Sequence, residues 1–362
     1  MSDVLPRTCA VIEQGIAQGL HSGAQFFVRR NDEVIANLAI GESRPGVAMS
    51  VDTINPWLSA GKPLTAVAIA QLQERGQLDW DDRVVKFIPE FSSHGKESIT
   101  IRHLLMHTAG FRSVIGLQRS DPYEVAIKKI CDARLEPSWI IGQTAGYHPL
   151  TSWYILGEIV HRADGRMVDL YVREEIFSPL GMNDSWLTIS GEAYRNYGDR
   201  IGFIYDTSKG QPISPPHEND EASAANLRPG ASARGPIREL ARFYQMLQNG
   251  GEALLRSQTV QALTTAHRRG SYDLTFKQVM DWGLGFIVNT HPAVAASAYG
   301  YGPFASSQTF GHSGNQSSCA FCDPAEKLVA AWFCNGMPGP DRHSQRQRGI
   351  NEAIYEDLQI RR

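Results

Sequence analysis

The chain has 362 residues, 42% hydrophobic and 20% charged, with 35 basic against 38 acidic side chains and a formal net charge of -3. That length allows two lobes around a sizeable core, and the near-balanced charge leaves no basic footprint for nucleic acid or an anionic membrane surface. No apolar run approaches the roughly 20 residues that a membrane-spanning helix needs.

The opening stretch MSDVLPRTCAVIEQGIAQGL lacks a basic start followed by an unbroken apolar core. Its Ile12, Ile16 and Leu20 recur every four residues and predict an amphipathic helix, not a signal peptide, so a cytoplasmic protein is expected. AQFFVRR (24–30) and EVIANLAIG (33–41) then predict two strands joined by a turn at Asn31-Asp32. NPWLSAGKPLTAVAIAQL (55–72) predicts a helix from near Ser59 to about Arg75, closed by Gly76 and carrying Pro63 in its first turn. Val67, Ile69, Ala70 and Leu72 leave it little polar surface, so burial on most sides is expected.

Residues 80–230 are rich in helical periodicity, with helices predicted over 99–111, 151–165 and 168–182 and a long polar, Pro-rich surface loop over 209–229. After a helix over 237–251, strands are predicted at 282–289, 309–314, 317–323 and 327–336, and a last helix at 346–358. The assembly expected is of the α/β (α+β) class: an antiparallel sheet built from both ends of the chain and flanked by helices. The discontinuous sheet domain would take residues 1–58 and 232–362, with a mostly helical lobe, 59–231, inserted between and the active site at their interface.

Five scattered cysteines, an odd number, predict reduced thiols. Cys319 and Cys322 form a C-x-x-C, but it lies in an apolar strand-like run with no second pair at ligand spacing, so structural thiols are expected rather than a metal or redox site. Gly283-Leu284-Gly285 lacks the third glycine of a nucleotide-binding loop, and Gly311-His312-Ser313-Gly314 has Asn315 where a nucleophile elbow needs glycine. No cofactor and no metal are called for.

Ser59 and Lys62 stand three residues apart at the mouth of the apolar helix, on one face. A serine hydroxyl needs a neighbour to take its proton, and a lysine that is partly buried at a helix N-terminus loses basicity. Bringing a lysine from ~10.4 to near 7 takes about 4 kcal/mol, within reach of one desolvated cleft. A second Ser-x-x-Lys, Ser93 to Lys96, sits in the polar loop SSHGKES and reads as coincidence.

Around the first pair, WLSAGKPLTAVAIAQLQERGQLDWDDRVVKFIPEF, SITIRHLLMHTAGF, WYILGEIVHRADG, FSPLGM, RPGASARGPIRELARFYQMLQNGG and FGHSGNQSSCAFCDPAEKLVAAWFCNG follow in order. This succession resembles the serine β-lactamase and penicillin-binding-protein-like superfamily over residues 10–357, including class C β-lactamases, D,D-peptidases, D-aminopeptidases and related esterases. The resemblance implies the β-lactamase/transpeptidase-like fold and three motifs. Ser59 and Lys62 meet the first. Tyr147-His148-Pro149 aligns with the second, Tyr-x-Asn, with its asparagine replaced by proline, and His312-Ser313-Gly314 aligns with the third.

By that resemblance Ser59 carries the acyl group, and Lys62 and Tyr147 handle one proton as a coupled unit. His312 would line the cleft, hydrogen-bond toward Tyr147 or bind a substrate carboxylate or carbonyl. The backbone N–H groups of Ser59 and Asn315 would form the oxyanion hole, with Gly314 giving them room. Trp57 and the Tyr299–Phe304 loop would offer an apolar wall. His107 and the Asp81-Asp82 pair fall in segments where turn and cap duties are expected.

Pro149 has no side-chain donor or acceptor to hold an amide-bearing substrate, which points to a carboxylesterase acting on a small ester or thioester. An acyltransferase or thioesterase on the same fold is the alternative, followed by a β-lactamase or D-aminopeptidase and then a non-catalytic scaffold. No nucleic-acid or membrane partner is expected, and the sequence carries no sign of oligomeric state.

Overall fold

The computed structural model describes residues 4–214, 218–295 and 299–361; residues 215–217 of the expected 209–229 loop lie outside the described residues. Helix α1 (Pro6–Ala17) leads into the hairpin β1 (Gly23–Arg30) and β2 (Glu33–Arg44). Asn31 and Asp32 both adopt positive φ, 49° and 67°, between the paired ends Arg30 and Glu33. That is the turn whose twist matches two antiparallel strands. Strand β3 (Val47–Ala48) closes this edge, and β4 (Asn55–Pro56) leads through a 3-10 turn, Leu58–Gly61, into α2 (Lys62–Glu74). Every residue of α2 from Lys62 to Leu72 is buried, as its composition predicts.

The region up to residue 230 holds α3 (Ile101–Leu105), α4 (Tyr123–Cys131), α5 (Thr151–Asp164) and α6 (Val168–Val172), then α7 (Gly191–Tyr197), the short β5 (Tyr205–Asp206) and α8 (Glu221–Ala225). The helix expected over 99–111 is shortened to α3. Thr100 opens it with a capping box to His103, and the chain reverses at His107, whose φ is 59°. The segment 168–182 is split as well, α6 passing into one π turn, Arg173–Phe177. Helix α8 lies inside the stretch expected to be loop, nucleated by Asp220, whose side chain accepts the Ser223 N–H.

Strand β6 (Arg234–Gly235) pairs with β4, and α9 (Ile237–Gln248) and α10 (Ser257–Thr264) follow. Then come β7 (Arg268–Asp273), β8 (Gln278–Trp282), β9 (Ile287–Val288), α11 (Pro292–Ala295), β10 (Phe310–Ser313), β11 (Ser318–Asp323), β12 (Leu328–Cys334), β13 (Gly336–Met337) and α12 (Pro340–Asp357). The single strand expected at 282–289 is two. Gly285 at φ 86° turns the chain, and the Gly283 N–H donates to Phe286 O at 2.9 Å. Strands β7 and β8 lack an apolar alternation because β7 is an exposed edge, and α12 begins six residues before the expected 346 with Pro340 in its first turn.

The main sheet has nine strands in the order β3-β2-β1-β12-β11-β10-β9-β8-β7, and its pairings are antiparallel. Alternation sorts its side chains. Phe26, Phe321 and Trp332 face α1 and α12, where the Trp332 indole donates to Asn351 Oδ1 at 2.9 Å. Ala320, Val329, Ala331 and Phe333 face the core shared with α2, α5 and α9. The same alternation separates Cys319 from Cys322, one in each core, so the C-x-x-C cannot close on a metal or on itself. All five cysteines are free and buried, and burial pushes the Cys319 thiol up to about 12.

Candidate active site

Ser59 does not sit in the helix itself but on the 3-10 turn ahead of it. Its predecessor Leu58 has φ 52°, a left-handed conformation unfavourable for a branched side chain. The turn is held from behind. Trp57 N–H donates to Ala233 O at 2.8 Å, the Trp57 indole to Gly235 O at 2.9 Å, and Ser318 Oγ to Trp57 O at 2.7 Å. Gly61 leaves space for Ala233, since a Cβ there would stand 2.4 Å from that methyl.

Lys62 Nζ lies 2.9 Å from Ser59 Oγ, 2.8 Å from Pro149 O and 2.7 Å from Gly230 O. The residue is fully buried, and desolvation, with a smaller contribution from the Arg119 charge, holds its pKa well below 10.5. A neutral amine has two N–H bonds and one lone pair. In that neutral form N–H bonds to the two carbonyls leave the lone pair for the Ser59 hydroxyl, whereas the ammonium donates to all three. Gly230 is required for this approach, because a Cβ on it would meet the Trp153 side chain at 2.6 Å. Thr65 Oγ1 ties the same loop to α2 through Pro229 O at 3.0 Å.

Tyr147 reaches the site from the segment before α5. Burial raises the pKa of its phenol, and a hydrogen bond with Ser59 opposes that rise. Lys62 Nζ stands 5.3 Å from the Tyr147 ring centroid. The tyrosine and lysine are thus linked through Ser59 Oγ, the group both contact. The ring is fixed by stacking on Phe276 at 4.7 Å and Trp282 at 5.8 Å and by His107 at 4.7 Å. Its backbone is fixed by Asp273, whose Oδ1 accepts N–H bonds from Tyr147, Thr275 and Phe276 at 3.0–3.1 Å. The other Asp273 oxygen pairs with Arg268 at 2.8 Å, and Arg268 continues to Met106 O at 2.9 Å. Sequence reasoning missed this clamp, for Asp273 and Arg268 lie in an edge strand with no motif.

His107 and His148 belong to the same scaffold. His107 Nδ1 accepts the His148 N–H at 3.0 Å, and His148 Nε2 accepts from Gly110 and Phe111 N–H at 3.1 and 3.2 Å. Asp81 pairs with Arg102, and Asp82 accepts from Asp79 N–H and Lys86, the turn duties expected.

On β10, His312 is buried, and desolvation, then the nearby Lys62, lowers its pKa to about 3. Its Nδ1 lies 2.8 Å from Ser313 O, which can only accept, so Nδ1 carries the proton and Nε2 the lone pair. In that tautomer Nε2, which is buried and has no partner among the described residues, is an acceptor and not a donor. Gly314 N–H donates to Ser318 O at 2.8 Å, and a Cβ on Gly314 would sit 2.2 Å from Ser318 Oγ and 2.5 Å from Trp57 O. Ser59 and Asn315 N–H have no acceptor among the turn, loop and cap hydrogen bonds of the described residues.

Ser59, Tyr147, His312, Gly314 and Asn315 all line one open cleft of about 340 Å³. Its walls are largely apolar, with Leu58, Pro149, Leu150, Phe276, Ile287 and Tyr299. Two expectations fail here. Trp57 is fully buried and supports the Ser59 turn without facing the cleft, and within 299–304 only Tyr299 lines it, stacked on Phe276 at 4.2 Å. Tyr301 is buried in the core, donating to Ile287 O. Arg119 is a lining residue that sequence reasoning did not find, from a loop without periodicity. The second Ser-x-x-Lys is structural: Ser93 Oγ donates to Cys131 O at 2.7 Å, and Lys96 Nζ donates to the carbonyls of Ser93, Cys131 and Ala133. No group of three or more acidic, His or Cys side chains among the described residues could hold a metal, and no described helix is long and apolar enough to cross a membrane.

The family model described as Beta-lactamase matches residues 10–354. A penicillin-binding protein of Bacillus subtilis (strain 168) is 25% identical over 268 residues, 69% of this chain and 55% of its own length, so the match spans little more than half of that relative. The esterase/beta-lactamase LipL of Mycobacterium tuberculosis is 25% identical over 326 residues, covering 81% of this chain and 72% of LipL. Among solved structures, a penicillin-binding protein homolog from Caulobacter crescentus superposes with a TM-score of 0.80 at 30% identity, over 99% of this chain and 98% of that one.

Proposed function

The chain belongs to the beta-lactamase family, and from that premise we propose that it is a serine carboxylesterase that forms an acyl-enzyme on Ser59 with a small ester. The observation that carries the proposal is the hydrogen-bond inventory of Lys62. In its neutral form, which burial favours, the amine gives its two N–H bonds to Pro149 O and Gly230 O and turns its lone pair to Ser59 Oγ, 2.9 Å away. Ser59 Oγ attacks the ester carbonyl carbon while its proton passes to Lys62 Nζ. The Ser59 and Asn315 N–H groups meet the oxyanion. Tyr147 remains a phenol at neutral pH because burial raises its pKa. It gives its proton to the departing alkoxide, and the proton that Lys62 took from Ser59 makes good that loss once the alcohol has left. Water, activated by the same groups in reverse, releases the acid and restores Ser59.

The ester preference rests on Pro149 and the apolar cleft walls. Pro149 has only its carbonyl to offer, and Lys62 occupies it. No side chain at that position remains to hold the amide of a lactam or peptide. LipL, named an esterase/beta-lactamase, shows a relative in which ester chemistry goes with this family.

The test has two parts. A fluorophosphonate should label the wild type and Ser93→Ala but not Ser59→Ala, by intact mass. Short-chain p-nitrophenyl esters should exceed a chromogenic cephalosporin in kcat/KM, and Pro149→Asn should narrow the gap. An adduct on another residue, or a wild type that prefers the cephalosporin, overturns the proposal.

A further inference from the structure

Among the cleft-lining residues, Arg119 alone carries a formal charge, since His312 is neutral and no carboxylate lines the space. Its side chain is 44% exposed. One guanidinium nitrogen meets Glu218, and among the described residues no acceptor engages the rest of the fork. Glu218 is itself shared: its other oxygen lies 3.4 Å from Arg228, both side chains being almost fully buried. Arg234, also buried, stands close enough to Arg228 for the two cations to repel. Behind the cleft wall three guanidiniums therefore face two carboxylates, Glu218 and Asp220, and the Nε atoms of Arg228 and Arg234 have no partner among the described residues. The array retains a net positive charge, and its open end is the Arg119 fork, in a cleft whose other walls are apolar.

We propose that this site takes esters bearing a carboxylate, which Arg119 binds while Ser59 attacks the ester carbonyl. The inference rests on the esterase reading and adds the substrate class to it. A planar guanidinium with free N–H bonds matches a carboxylate in two parallel hydrogen bonds. An apolar cleft weakens solvent screening of that pair and focuses the field of the buried arginines on it. A carboxylate also completes the charge balance that Glu218, divided between two arginines, leaves open.

Two matched pairs of esters test it. In the acyl arm, mono-p-nitrophenyl glutarate is compared with p-nitrophenyl valerate. In the alcohol arm, 3-carboxyphenyl butyrate is compared with phenyl butyrate. Within each protein the anionic-to-neutral ratio of kcat/KM is the readout, so a general loss of activity cancels. The wild type should show a ratio about 10- to 100-fold higher than Arg119→Gln in one arm, the size of a charge-assisted pair, with Arg119→Lys between them. The arm that responds tells which side of the ester faces Arg119. Equal ratios in the wild type and Arg119→Gln in both arms overturn the proposal. Failure of the esterase reading is separable, since it is read from wild-type turnover of the neutral esters. If those are not cleaved, the same ratio is read from the rates at which a carboxylate-tipped and a methyl-tipped p-nitrophenyl phosphonate label Ser59, and an unchanged ratio there overturns the proposal equally.

Discussion

Gly314→Ala isolates the oxyanion hole from the rest of the machinery. The added methyl would lie 2.2 Å from Ser318 Oγ and 2.5 Å from Trp57 O, and both atoms belong to the hydrogen bond that anchors the Ser59 turn to β11. Carbon and oxygen settle at roughly 3.3 Å, little closer than two carbons, so the strand end or the turn must retreat by about 1 Å. Ser318 cannot swing away freely, because its carbonyl holds the Gly314 N–H and its hydroxyl holds Trp57 O. The retreat separates Ser59 N–H from Asn315 N–H, the two donors that must converge on one oxygen. Misplacement by 1 Å costs about 10²-fold, and loss of one such donor about 10²–10³-fold. We expect kcat on a short-chain ester to fall by about 10²–10³ with a smaller change in KM, and stability to fall by about 1–3 kcal/mol from overpacking. Stopped-flow acylation and denaturant unfolding measure the two separately. A folded Gly314→Ala that keeps kcat within about threefold would refute the placement of the oxyanion between Ser59 and Asn315.

Lys62→Ala and Tyr147→Phe should each slow acylation by about 10²–10⁴, and the double variant should lose far less than the product, since both act on the Ser59 proton; single-turnover kinetics of the full cycle measures this, and simple additivity would assign them separate protons. The value of kcat/KM should fall as pH drops through the depressed Lys62 pKa, because a protonated Nζ has no lone pair, and Arg119→Gln should move that acidic limb to higher pH by removing a charge that lowers the lysine. Stability should follow the same sign: the unfolded lysine, near 10.5, holds a proton that the folded one has lost, so the contribution is full above that value and disappears as pH falls toward the folded pKa. Asp273→Asn should lower kcat more than it raises KM, since the amide turns a donor toward Arg268 and loosens the Tyr147 backbone; a variant that only melts earlier, with kcat unchanged, would make Asp273 purely structural.

What the sequence reveals of this site depends on whether a residue acts through local spacing or through distant pairing. Ser59 and Lys62 are three residues apart on one turn, so their contact is written in the chain, and the apolar run behind them announces the burial that lowers the lysine's basicity. The Asn31-Asp32 turn and the alternation through β11 and β12 are legible for the same reason. Trp57 shows the limit. Its neighbourhood to Ser59 suggests a cleft wall, but the left-handed Leu58 separates the two directions, sending the serine outward and the indole to Gly235, 178 residues away. Arg119 and Asp273 are invisible for a related reason. Each works by closing a gap between segments more than 90 residues apart, Arg119 with Glu218 and Asp273 with the Tyr147 backbone. Such pairs have no period and no motif, because their geometry exists only once the chain has folded, as when β7 comes to lie beside the segment before α5. The motif residues therefore supply the reacting atoms, whereas the electrostatic field and the angular precision come from residues whose roles only the folded chain defines.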